Sequence, residues 1–543
     1  MSGPTREQHH FPTRQYVYFN SEQIHLAAES PESAPASGTY RFILGRDAEP
    51  VPLSAQFIND QLHDPFARLV LTRANAPVLT ARALLGHLDQ FNAEPLGLPV
   101  QAQFVVADGG QILWKPETDG LNREIRFAIT RSKTAGRLPD LLISTSSVFD
   151  DESTFLQVIG WDPDQGAYQF YERRSGSWIW AGNSWDAFDP KARGHGPFDS
   201  HINGALNMKE LKQPWVNWHS EAASVLDDIL AKDDALRHEP LWTSKSEAQD
   251  FERVVIRPGI DRWTAARFSK CTKQGRLSRL PEFFRQVLET TTVNLVSSFR
   301  EYRTLATGGT VDLPLPFFFN TDLFLGELEI EAEFEPPTVS AELYRSSLER
   351  FDVHLADGSG TFRFPGDTYF VFVVPEAAHE DNLVTHKLVD AGVLSKRLAG
   401  ALHMVDFANP VFSRRRAALL KYVPESARTN APGEFDTLFV QAVLTSGAAQ
   451  ADSPESEFLA NWNRGENWPD DCARKIQAFI EAVRRRLGSA DGFKDIFALA
   501  ESRRREFRRR PLAEFRLTTP VTNIPEDAPF LEFAPDASIR IKP

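Results

Sequence analysis

The side chains most able to do chemistry crowd one stretch, Ser177–Ser220, which reads SWIWAGNSWDAFDPKARGHGPFDSHINGALNMKELKQPWVNWHS. It carries His195, His201 and His219 beside Asp186, Asp199 and Glu210, with five of the eleven tryptophans and Met208, one of three methionines. Histidine titrates near neutral pH, so His201 or His219, oriented by Asp199, Asp186 or Glu210, has the makings of a general base. Ser200 adjoins His201 and does not readily face it, and no G-x-S-x-G elbow occurs in the chain, which disfavours a serine hydrolase. Glycines and prolines break the stretch into loops, and loops on a rigid scaffold are where binding and catalysis concentrate.

A c-type haem is attached through C-x-x-C-H, where two thiols bond the vinyl groups and the histidine ligates iron. Pro197-Phe198-Asp199-Ser200-His201 keeps that register, with Pro197 and Ser200 where the cysteines would stand. With its tryptophan-rich approach and Met208 downstream, Ser177–Ser220 resembles a c-type cytochrome haem site that has lost its thioether cysteines. The resemblance implies an oxidoreductase holding haem non-covalently, with His201 as proximal metal ligand and Met208 or His219 as the second axial ligand. Trp180, Trp185, Trp215 and Trp218 would wall the macrocycle. Two other readings use the same residues. In one, His201 hydrogen-bonds within a loop, the tryptophans are core, and the chain is a non-enzymatic binding or scaffold protein. In the other, His201, His219 and Asp199 serve a cofactor-free acid–base enzyme acting on a small-molecule substrate.

Elsewhere the chemistry is sparser. If Glu376–Asp390 is one helix, His379, His386 and Asp390 share a face, but two turns rise about 10 Å, too far for both histidines to hold one ion. Arginines cluster at 414–416, 484–486, 503–505 and 508–510, interleaved with Glu501, Glu506 and Glu514. Pairing along the helix accounts for them, and they offer a docking face for a protein partner. They lack the aromatic interleaving of single-strand nucleic-acid binders. ATGGT at 306–310 and ADGSG at 356–360 read as turns, since neither has a phosphate-binding glycine pattern.

The elements that must position these groups point to an α+β fold. Residues 1–36 read as a polar tail. Thr80–Asn92 has helical spacing with Thr80 as N-cap. Short β-branched and aromatic runs between Val100 and Trp180, separated by DGG, TDG and DPDQG, predict an antiparallel meander. Ser220–Leu236 has the pattern of an amphipathic helix, and the polar run 237–250 marks the end of a first domain, 37–240. A second domain, 251–444, reads as helices, then strands over 311–375 with a hairpin at ADGSG, then helices again. PEFFRQVLETTTVNLVSSF reads as helical throughout. Thr445–Glu457 is linker-like, 458–517 is a helical pair, and 518–543 drapes over the surface.

The 543 residues exceed what one core supports. A net charge of −14 argues against a nucleic-acid-binding molecule. No run is long and apolar enough to span a membrane, and the N-terminus lacks a secretory pattern. Cys271 and Cys472 are the two cysteines, so neither a disulfide framework nor a cysteine zinc site is expected, and a cytoplasmic location fits.

Overall fold

The computed structural model describes residues 38–107, 114–119, 125–174, 176–206, 227–246, 248–299, 305–356, 363–366, 371–509 and 519–543. The chain is α+β, with an antiparallel meander in its first half and helices in its C-terminal half. Strands β1 (Thr39–Arg41) to β8 (Ser177–Asn183) form one sheet in the order β2-β1-β8-β7-β6-β5-β4-β3. Here β2 is Val51–Pro52, β3 Val100–Ala107, β4 Ile125–Ser132, β5 Leu141–Ser146, β6 Leu156–Asp162 and β7 Ala167–Arg174. The run β3 to β8 is the meander the turn residues predict, while β1 joins β8 in parallel.

Every residue of β4 is buried, so the sheet is covered on both faces. One face takes α1 (Ala55–Gln61), capped by Ser54, and α2 (Ala81–Asp89), capped by Thr80. On this side Phe66 packs on Tyr171 and Trp178, and Phe57 on Trp180. The opposite face takes Phe198 and His201 against Phe170, and the Tyr168 hydroxyl donates to the carbonyl of Gly259.

The first core does not stop at the polar run 237–250. Leu241, Trp242, Phe251, Val255, Ile260 and Trp263 all belong to it, and the second core begins at Cys271, so the change-over falls within α3 (Arg257–Cys271). The described part of the expected helix 220–236 is instead a pair of short 3-10 turns, Asp227–Ile229 and Ala235–His238. Asp234 caps the second turn, and that local hydrogen bond replaces continued helix. The tail 1–36 lies outside the described residues.

The second half is more helical than its β-branched runs imply. It contains α4 (Leu280–Leu288), α5 (Ala341–Arg350), α6 (His379–Asp390), α7 (Lys396–His403), α8 (Glu434–Thr445), α9 (Pro454–Trp462), α10 (Trp468–Leu487) and α11 (Ala490–Arg509). Its strands make sets of two or three rather than a sheet, and LEIEAEFE forms no strand. Helix α4 ends at Leu288, and the β-branched TVNLV that follows supplies a strand, Val293–Val296. His354–Ala356 and Arg363–Pro365 pair antiparallel on either side of ADGSG, whose residues 357–360 lie outside the described set.

Two expectations for the C-terminus change. Helices α10 and α11 pack on each other as the expected pair, but α11 is interior, and Arg503, Arg504 and Arg505 are buried. Arg503 donates to the carbonyls of Phe317 and Ala408, Arg504 to that of Val373, and Arg505 to that of Ala528. These guanidiniums satisfy internal backbone acceptors and present no docking face; Arg414, Arg485 and Arg509 remain exposed. Residues 519–543 do not merely drape. Phe533 is 1% exposed and packs edge-on against Phe317 and Phe479. No described helix is long and apolar enough to cross a membrane.

Candidate functional site

Of the haem-like constellation, the described members Trp180 and His201 do not share a face of the sheet. Tyr171 and Trp180 are cross-strand partners and share a face, whereas Phe170, the neighbour of Tyr171, points the other way. His201 packs against Phe170 with the rings tilted, so Trp180 and His201 lie on opposite faces of β7 and β8. The Trp180 indole N–H donates to Gln169 Oε1. Trp185 packs edge-on against Trp263, 5.0 Å between centroids, and lies under the guanidinium of Arg279. Met208, Trp215, Trp218 and His219 lie outside the described residues.

His201 Nδ1 is 2.8 Å from the carbonyl of Ala205, which fixes a tautomer with the lone pair on Nε2, as a metal ligand requires. Yet the residue is 4% exposed, so a macrocycle at Nε2 has no room without repacking of what surrounds it. The residues described here therefore do not fit a haem as they stand. Among them, no three His, Cys, Asp or Glu side chains could hold a metal ion. His386 lies between Glu327 and Asp390, while burial, with nearby Arg257 and His386, pushes the pKa of His379 down to about 4. Asp199 is half-buried on the short helix Pro197–Ser200, and His195 is exposed.

What the stretch does instead is build one wall of a cleft. Gly204, at φ +74°, passes so close to Ser184 that a Cβ would stand 2.3 Å from its carbonyl oxygen. The Ser184 hydroxyl donates to the carbonyl of Gly204, and the Trp263 indole donates to that of Asn203. With the His201–Ala205 bond, these contacts fix the loop that carries Ile202 and Asn203. The cleft, of about 240 Å³, lies between Phe188, Arg193, Gly194, Ile202 and Asn203 on one side and, on the other, Glu282 and Arg285 of α4 with Glu289, Thr290 and Thr291 of the segment after it. A larger, shallower hollow of about 560 Å³ runs past α2, but its histidine, His87, is bonded to the Leu69 carbonyl.

At the cleft wall, Thr291 belongs to a buried polar chain joining both cores. Asn203 Nδ2 donates to Thr291 Oγ1 at 3.0 Å, and Thr291 Oγ1 lies 2.5 Å from Asp381 Oδ1. The backbone N–H groups of Thr291 and Thr292 donate to Asp381 Oδ2. Gln286 donates to Asp381 and accepts from Arg267, whose guanidinium lies between the rings of Phe188 and Phe283. Asp381 is in the first turn of α6, where the helix dipole favours the anion. Burial outweighs the dipole and the Thr291 bond, and with nearby Glu380 it raises the carboxyl to about 7. Arg267 is lowered by burial to about 10 and remains a cation at neutral pH.

The geometry therefore places the hydroxyl of a cleft-lining residue, Thr291, against a buried carboxyl whose pKa is raised to about 7. Sequence reasoning named neither Thr291 nor Asp381. The available signal was that Asp381 sits three and seven residues before Val384 and Leu388, on the apolar stripe of its helix. No protein-family model, curated protein or solved structure matches the chain.

Proposed function

We propose that the protein is a cofactor-independent acid–base enzyme acting on a small polar molecule in the cleft between its two cores. This keeps the acid–base reading of the sequence but moves the proton carriers from His201, His219 and Asp199 to Thr291 and Asp381. The observation that carries it is the 2.5 Å contact between a cleft-lining hydroxyl and a buried carboxyl. Asp381 accepts the proton of Thr291 as that hydroxyl takes one from the substrate, and returns it in the reverse sense. Asn203 fixes the hydroxyl, and His201 acts one step back by bracing the loop that carries Asn203. Two buried free thiols, Cys271 and Cys472, suit a reducing compartment and so support the cytoplasmic reading.

The test is the protonation state of Asp381, read as the carboxyl stretch in infrared spectra of wild type minus Asp381→Asn. The expected midpoint is about 7, displaced in Thr291→Val. A carboxyl that is already fully ionised in mildly acidic buffer, or still protonated in alkaline buffer, would have no proton to trade and would end this reading.

A further inference from the structure

We propose that the cleft recognises a small anion, a carboxylate or phosphate carried by the ligand, with Arg193 as its anchoring cation. This inference rests on the cleft being a ligand site and adds the class of ligand. The polar lining contains four charged side chains, Arg193, Glu282, Arg285 and Glu289. Glu282 is held by Arg279 through two hydrogen bonds, and Glu289 accepts from Arg285 at 3.1 Å. Arg193 is different. Its one hydrogen bond goes to the carbonyl of Phe188, and it forms no ion pair among the described residues. A guanidinium has five N–H donors in a planar fork that fits carboxylate or phosphate oxygens, so most of its capacity is unused.

The surroundings agree. The lining holds two arginines and two glutamates, and both glutamates are already engaged, so Arg193 is the cation of the lining that no carboxylate among the described residues holds. Such an unengaged guanidinium attracts anions from solvent. Its volume of about 240 Å³ lies below the roughly 300–1,000 Å³ of drug-sized sites, so the ligand is small. Phe188 and Ile202 add a short apolar wall for the rest of the molecule. Thr291 stands in the same lining, so an anion held at Arg193 presents its neighbouring atoms to the hydroxyl that passes protons to Asp381.

The test is calorimetric titration of the full chain with inorganic phosphate and, separately, with acetate. Saturable binding of at least one anion is expected. Arg193→Met should weaken it by about tenfold or more, the loss typical of one charge-assisted pair, and Arg193→Lys should restore part of it. Lys191→Met, on the exposed loop outside the cleft, should leave it unchanged. Phosphate binding without acetate binding would assign a phosphorylated ligand, and the reverse a carboxylic acid. No saturable binding of either anion, or binding that survives Arg193→Met, overturns the inference. Asp381→Asn separates the two ideas: retained anion binding in that variant, together with a wild-type Asp381 that does not titrate near neutrality, leaves the anion site standing and removes the proton-transfer reading.

Discussion

Replacing Asp381 by Asn should change how stability depends on pH, and the size follows from the burial of this one group. Its pKa is about 7 in the folded chain against 3.8 ordinarily, raised first by desolvation. The folded state therefore holds a proton that the unfolded chain has released. That contribution is full below the ordinary carboxyl range and is lost as pH rises through about 7. Each pH unit inside the window is worth roughly 1.4 kcal/mol, so wild type should lose about 3 kcal/mol relative to Asp381→Asn between about pH 5 and pH 8. The amide oxygen can still accept from the Thr291 and Thr292 N–H groups, while its NH₂ meets the Gln286 NH₂. That mismatch adds a penalty that does not vary with pH. His379 works in the opposite sense: its pKa is lowered to about 4, chiefly by burial, so its contribution is lost as pH falls below the ordinary 6.5. The raw wild-type profile mixes both groups, and only the difference from Asp381→Asn isolates the carboxyl. Urea unfolding at a series of pH values supplies both curves. A difference that stays flat to within about 1 kcal/mol across that window would refute the reasoning, because no buried proton would then be linked to folding.

Two further outcomes check the other assignments. Titrating the protein with haem should give no Soret band that depends on His201, because the residue is buried; a band abolished by His201→Ala would restore the haem reading. Glu501→Gln should destabilise the chain by about 3–5 kcal/mol in chemical unfolding, since it strips the partner from buried Arg504 and from Arg508.

The sequence made the meander legible because its strands are short, β-branched or aromatic, and each is closed by turn residues. The cap of α2 was equally visible, since a Thr just before an apolar helical run has few other uses. What failed to show were contacts between distant segments. SWIWA places Trp178 and Trp180 on one face by simple alternation, but nothing local says that the chain returns His201 to the other face. Arg503–Arg505 look like a solvated run because their acceptors, the carbonyls of Phe317, Ala408, Val373 and Ala528, are far away in sequence. TTTVNLV carried a β-branched signal that the preceding helical spacing obscured. Thr291 and Asp381 are brought together by the packing of α4 against α6, which no periodicity reports.

The insertion of Phe533 between Phe317 and Phe479 has a consequence for how the protein is made. A ribosome adding roughly 5–20 residues per second takes on the order of 10–40 s to travel from Phe317 to Phe533. Throughout that interval the nascent second core lacks its last aromatic wedge, and Asn409 lacks the backbone of Phe533 that it bonds. His354–Ala356 likewise waits for its second neighbour, Thr519–Val521. The meander, by contrast, pairs each strand from β3 to β8 with the one just synthesised. The first half can therefore fold as it emerges, while the second half is completed only after its final strands leave the exit tunnel.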